Sequence, residues 1–118
     1  MMHRLIVLLA ICSLIACKDK WEDSALLGKW NTVSWTEKLS GKSIGNKMDF
    51  HFMEAGKYDV DYGSVQSSGK YWIANEYLHT VENGKVEIKV LIVNLNQDSL
   101  VLELNRGGVL ETMVLLKQ

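Results

Sequence analysis

From Gly28 to the C-terminus, apolar and polar residues alternate over short runs separated by turn-forming residues. Period-2 alternation puts every second side chain on one face of an extended strand, so the pattern specifies strands and argues against amphipathic helices. The first run, KWNTVSWT (29–36), sets Val33 and Trp35 on one face. KMDFHFM (47–53) opposes Met48, Phe50 and Phe52 to Asp49 and His51, and KYDVDY (57–62) opposes Tyr58, Val60 and Tyr62 to Asp59 and Asp61. SGKYWIA (68–74) aligns Tyr71 with Ile73, and EYLHTVE (76–82) follows. KVEIKVLIV (85–93) keeps Val86, Ile88, Val90 and Ile92 in step. SLVLEL (99–104) does the same for Leu100, Leu102 and Leu104, and VLETMVLLK (109–117) closes the series.

The joins between these runs are mostly tight. Glu54-Ala55-Gly56, Asn96-Gln97-Asp98 and Arg106-Gly107-Gly108 are turn sequences, and Asn83-Gly84 is the strongest hairpin signal, expected as a type I′ turn. The longest join runs from Glu37 to about Asn46. Short joins force sequential antiparallel pairing. A meander of eight strands with one apolar face hides its edges by closing on itself, so the expected fold is all-β: an eight-stranded up-and-down antiparallel barrel. The competing immunoglobulin-like sandwich needs long crossovers that these joins do not supply.

The N-terminus has a different character. His3 and Arg4 form a short positive head, and Leu5 to Ala16 is apolar apart from Ser13. A bilayer-spanning helix needs about 20 apolar residues, so this stretch reads as a secretory signal, not a permanent span. It ends Leu14-Ile15-Ala16-Cys17, which resembles the lipobox of bacterial lipoproteins. That resemblance implies a diacylglycerol on the Cys17 thiol, cleavage after Ala16, and usually acylation of the new amino group. The chain is then held to a membrane by acyl chains on Cys17, with the cell envelope, in particular the outer membrane, as its expected location. Two or three acyl chains anchor stably where one is marginal.

Residues 1–16 are thus expected to be removed, leaving 102 of 118 residues, enough for one domain with a modest core. Cys12 leaves with the leader and Cys17 is lipidated, so no disulfide or thiolate metal site is expected. Arg4 leaves too. Twelve basic residues then face 14 acidic ones, a formal charge of −2. Without a basic run, nucleic-acid binding is not expected. Residues 17–25 form the lipidated Cys and tether, and 26–118 the barrel domain. Asp19 with Glu22 resembles a capping box and Gly28 suits a helix end, so Lys20–Leu27 reads either as a two-turn helix plugging one barrel end or as a loose tether. Asp19, Glu22 and Asp23, interleaved with Lys18 and Lys20, partly resemble a Bacteroidetes surface-export signal; the alternative is a solvated spacer.

LLGKWNTVSW resembles the first-strand Gly-x-Trp signature of lipocalins, with Gly28 and Trp30 in the matching places. FHFMEAGKY, SGKYWI, YLHTVENGK and LIVNLNQDSLVLEL resemble the lipocalin-like domains of small Bacteroidetes lipoproteins, over most of Leu26 to Lys117. The resemblance implies a lipid-anchored barrel, with Gly28 and Trp30 as its structural floor. In lipocalins an Arg near the end of the last strand packs on the first-strand Trp. Here Arg106 precedes the eighth run and Lys117 is the nearest cation.

Nothing in the sequence resembles a catalytic constellation, and the chain is not expected to be an enzyme. There is no Gly-x-Ser-x-Gly, phosphate-cradling Gly loop or dinucleotide fingerprint, and no cofactor is implied. His51 with Asp49, Asp59 and Asp61 falls on the outer face by alternation. These residues form a solvated face in preference to a metal site. Trp35, Phe50, Phe52, Tyr58, Tyr62 and Tyr71 fall inside. They admit two readings. One is a pocket for a small hydrophobic ligand, oriented by Tyr hydroxyls. The other is a packed core in a filled barrel that serves as a protein-interaction or structural envelope module.

Overall fold

Strand pairing in the computed structural model, which describes residues 20–45 and 47–118, closes on itself. Cys17, the leader and the first tether residues lie outside the described residues. Eight antiparallel strands run β1 (Gly28–Glu37), β2 (Asp49–Met53), β3 (Lys57–Asp61), β4 (Gln66–Ala74), β5 (Tyr77–Glu82), β6 (Glu87–Leu95), β7 (Ser99–Arg106) and β8 (Val109–Lys117). Each pairs with the next, and β1 also pairs with β8, so the sheet is a closed barrel. The closing seam sets Thr32 opposite Leu115 and Trp35 opposite Met113.

Sequential pairing sends alternate connections to opposite ends. One end, the floor, holds the start of β1, the turns 54–56, 75–76 and 96–98, and the C-terminus. The other, the mouth, holds the connections 38–48, 62–65, 83–86 and 107–108. The long connection after β1 folds back along it: Thr36 bridges Ser43, and the Ile44 N–H donates to the Trp35 carbonyl at 2.8 Å. In consequence β2 pairs with only Gly28 to Asn31 of β1.

Two β-bulges shift the alternation. In β1 the register slips between Thr32 and Ser34, so Trp30 and Trp35, five residues apart, both point inward. The expectation that Val33 shares the inner face with Trp35 is corrected by this bulge, and Val33 is exposed. In β6 the slip between Ile92 and Asn94 lets Ile92 and Leu95 both face the core. The Asn83-Gly84 turn also differs from expectation. Gly84 has positive φ but Asn83 does not, and the connection is four residues long. The two-residue link with both φ values positive is Gly107-Gly108, as a type I′ turn requires.

The floor is sealed from within. Instead of two α-helical turns over Lys20–Leu27 there is one 3₁₀ turn, Asp23–Leu26. Two tertiary bonds compete with helix propagation here. The Asp23 carboxylate accepts from the Ile73 N–H at 3.1 Å, and the Leu26 carbonyl accepts from the Trp30 indole N–H at 2.8 Å. Leu26 and Trp30 are fully buried. The Lys117 ammonium stands 5.4 Å over the Trp30 ring. Gly28, at φ +124°, leaves room for that lysine, since a Cβ there would lie 2.8 Å from its Cε. Above the floor, Phe52, Val60, Leu100, Met113 and Leu115 pack the barrel interior. Gly69 of β4 is a second close approach: a Cβ would sit 2.2 Å from the Val81 carbonyl oxygen and 2.9 Å from the Tyr58 ring.

Candidate functional site at the barrel mouth

The six aromatic candidates separate by height. Phe52, Tyr58 and Tyr71 belong to the packed lower half. The Phe52 ring meets Tyr71 edge-on at 4.9 Å and Tyr58 at 6.1 Å, and the Tyr71 hydroxyl donates to the Met53 carbonyl at 3.0 Å. Phe50 stacks on Phe52 at 5.5 Å and is half-buried. Trp35 and Tyr62 stand at the mouth, where with Lys47, Met48 and Arg106 they line an open depression of about 440 Å³. That volume falls within the range of about 300–1,000 Å³ typical of small-molecule sites.

Polar groups are set into the wall of this cup. The Trp35 indole N–H donates to the Glu111 carboxylate at 2.9 Å. Arg106 lies 5.4 Å over the Trp35 ring, with its Nε 3.6 Å from the same carboxylate. Glu111 is only 4 % exposed, and a buried carboxylate is costly unless hydrogen-bonded and paired. Both conditions are met. The second inward carboxylate, Glu82, accepts from the Tyr62 hydroxyl and from the Lys85 ammonium at 2.8 Å. The Lys85 hydrogen bond, then that of Tyr62, holds the Glu82 carboxyl below its ordinary range, against the opposing effect of burial. Burial, followed by the adjoining Glu82, pushes the Tyr62 phenol well above its usual range. Burial does the same for Tyr58 and Tyr71. The cup therefore combines an indole face, a thioether, a phenol held protonated at neutral pH, and cations at its rim. It can take an apolar body and hydrogen-bond or ion-pair one polar end.

Glu82 and Glu111 are absent from the apolar pattern, yet their parity marks them: Glu82 is in step with Leu78, and Glu111 with Met113 and Leu115. Alternation applied to every residue type, not only apolar ones, finds both. Arg106 carries no such signal, because its position over Trp35 depends on the bulge in β1.

The outer wall carries the other polar candidates. His51 pairs across strands with Asp59, and Asp49 with Asp61. The Asp59 carboxylate accepts from the Ser68 hydroxyl at 2.7 Å, and Asp61 accepts from the Gly63 N–H at 2.7 Å. Among the described residues no group of three or more His, Cys, Asp or Glu is placed to hold a metal ion. His79 stacks on Trp72 at 5.2 Å and meets the Glu87 carboxylate at 2.9 Å. Comparison with protein-family models, curated proteins and solved structures gave no match to this chain.

Proposed function

We propose that this protein is a lipid-anchored bacterial envelope lipoprotein with a lipocalin-like barrel, and that the cup at its mouth holds a small hydrophobic ligand. The ligand reading is carried by one observation: Trp35, Lys47, Met48, Tyr62 and Arg106 line an open depression of about 440 Å³. The pocket candidates thereby narrow to Trp35 and Tyr62, with Met48 and Arg106 added. The lipocalin-like reading is supported by the floor, where Lys117, close to the end of the last strand, packs over the first-strand Trp30. The leader and lipobox sequence supports the anchor on Cys17. Lys20, the first described residue, contacts Glu76 of a floor turn at 3.4 Å.

Native mass spectrometry of the isolated protein, followed by titration with a panel of apolar small molecules under NMR, tests the ligand reading. Shift changes confined to the Trp35 indole, the Met48 methyl and the Tyr62 ring are expected. A bare chain with no uptake from the panel refutes it. The intact mass tests the anchor separately, since a chain that begins at Cys17 must carry the added diacylglycerol. The packed barrel interior favours a second reading, a protein-interaction or structural module without a ligand. That reading expects in-cell crosslinking to recover an envelope partner.

A further inference from the structure

The two ends of the barrel differ in chemistry. At the floor, the connecting turns carry Glu54, Glu76 and Asp98 and the adjoining 3₁₀ turn carries Asp23, while the cations there, Lys29, Lys57 and Lys117, lie on the flanking strand ends. At the mouth, the four connections carry Lys38, Lys42, Lys47 and Lys85, and the acids lie on the flanking strand ends, at Glu37, Asp49, Asp61, Glu82 and Glu87. Arg106 stands where β7 meets the last of them. Lys38 and Lys85 are paired with Glu103 and Glu82 on the strands below. Lys42 and Lys47 form no ion pair among the described residues.

The same connections expose aliphatic side chains. Leu39 is 98 % exposed, Val86 82 % and Val65 61 %, and Val109 beside the Gly107-Gly108 turn is 45 % exposed. Three of the four connections thus bring a large aliphatic side chain to solvent around an open cup, and the fourth, Gly107-Gly108, is followed by Val109 at the start of β8. None of the exposed large hydrophobic residues lies in a floor turn. Folding does not require these positions, since the barrel closes and fills without them. Burial of each in an apolar phase is favourable.

We infer that the mouth docks on a lipid bilayer surface bearing anionic headgroups, with Leu39, Val65, Val86 and Val109 entering the interface and the lysines of the connections meeting the headgroups. A protein partner fits the chemistry less well. Protein interfaces are depleted in lysine and centre on contiguous packed apolar area, whereas this rim has separate aliphatic tips interleaved with lysines. Anionic bilayers reward that combination, since each nearby Lys or Arg adds attraction and each apolar tip adds burial. Docking brings the cup against the lipid, the phase from which an apolar molecule would enter it. The inference itself depends on neither a ligand in the cup nor acylation of Cys17.

The test is a full chain with Cys12→Ser and Cys17→Ser and a polarity-sensitive fluorophore on Leu39→Cys, with a second chain labelled at Gln97→Cys on the floor. Each is reconstituted in phosphatidylcholine vesicles and then mixed with vesicles of phosphatidylcholine alone or of phosphatidylcholine with phosphatidylglycerol. The result expected is a blue shift of the residue-39 probe on adding the anionic vesicles, none on adding the neutral ones, and no difference between the two at residue 97. Lys42→Ala with Lys47→Ala should raise the anionic lipid concentration needed by roughly 25-fold, about fivefold per cation. An unchanged residue-39 probe, an equal response to neutral vesicles, or a double variant that titrates like the parent overturns the inference. So does a blue shift at residue 39 produced only by envelope protein extract and not by lipid.

Discussion

Replacing Trp30 with Ala should be among the most damaging single changes the barrel can suffer. The side chain is fully buried, and removing a buried Trp costs about 3–5 kcal/mol through lost transfer energy and an unfilled cavity. Its indole N–H also satisfies the Leu26 carbonyl at 2.8 Å, and loss of that bond adds roughly 1 kcal/mol. The expected total is about 4–6 kcal/mol, a large share of the roughly 5–15 kcal/mol available to a domain of this kind. With a urea m-value of about 2 kcal/mol/M the unfolding midpoint should fall by 2–3 M. Trp30→Phe separates the terms: it keeps most of the apolar volume, gives up the indole hydrogen bond, and should cost about 1–2 kcal/mol. Urea unfolding followed by far-UV circular dichroism measures both. A Trp30→Ala midpoint within 0.5 M of the parent, by the same order-of-magnitude reckoning, would show that the floor is not sealed by this residue.

Gly69→Ala forces a Cβ to within 2.2 Å of the Val81 carbonyl oxygen, so β4 and β5 must separate; a loss of about 3 kcal/mol or more is expected in the same urea assay. Glu111→Ala leaves the buried Trp35 N–H without its acceptor and should cost about 1–3 kcal/mol, read by chemical denaturation. The Glu82 carboxyl is held below its ordinary value of 4.5 in the folded state. Its stabilising contribution is therefore complete above that value and is lost as pH falls through the lowered one. The stability gap between parent and Glu82→Gln should narrow over that acid window, which thermal melts at stepped pH will show. Because Tyr58, Tyr62 and Tyr71 ionise above the ordinary phenol value of 10.0, an absorbance titration should show them ionising with unfolding at alkaline pH, not ahead of it.

The strand count, the short joins and the closed barrel were legible because alternation and turn residues act locally, and an eight-stranded meander with one apolar face has few ways to hide its edges. The bulges were not. Val33 obeys the alternation in the sequence, and only pairing with β8 shows that β1 slips at that point. Trp30 and Trp35, at odd separation, were the one trace of it. The helix expected over Lys20–Leu27 rested on local capping, but the Leu26 carbonyl is claimed by Trp30 and the Asp23 carboxylate by Ile73. Tertiary bonds outbid a two-turn helix, which is weak in isolation. At the mouth, the aromatic list contained Trp35, which is buried, and Tyr62, which is exposed. It could not separate them from Phe52, Tyr58 and Tyr71, because alternation gives a face and not a height along the barrel. Height is set by register, and register also sends Val86 and Ile88, in step with buried Ile92, out to the exposed rim.

A mouth exists only if the sheet closes, so the seam between the first and last strands is the most direct test. Nuclear Overhauser spectroscopy on uniformly labelled protein should give cross-strand contacts from Thr32 to Leu115 and from Trp35 to Met113, together with those joining Leu102 to Met113 on the other side of β8. Contacts from β8 to β7 alone, with β1 paired only to β2, would describe an open or stacked sheet and leave no cup for a ligand.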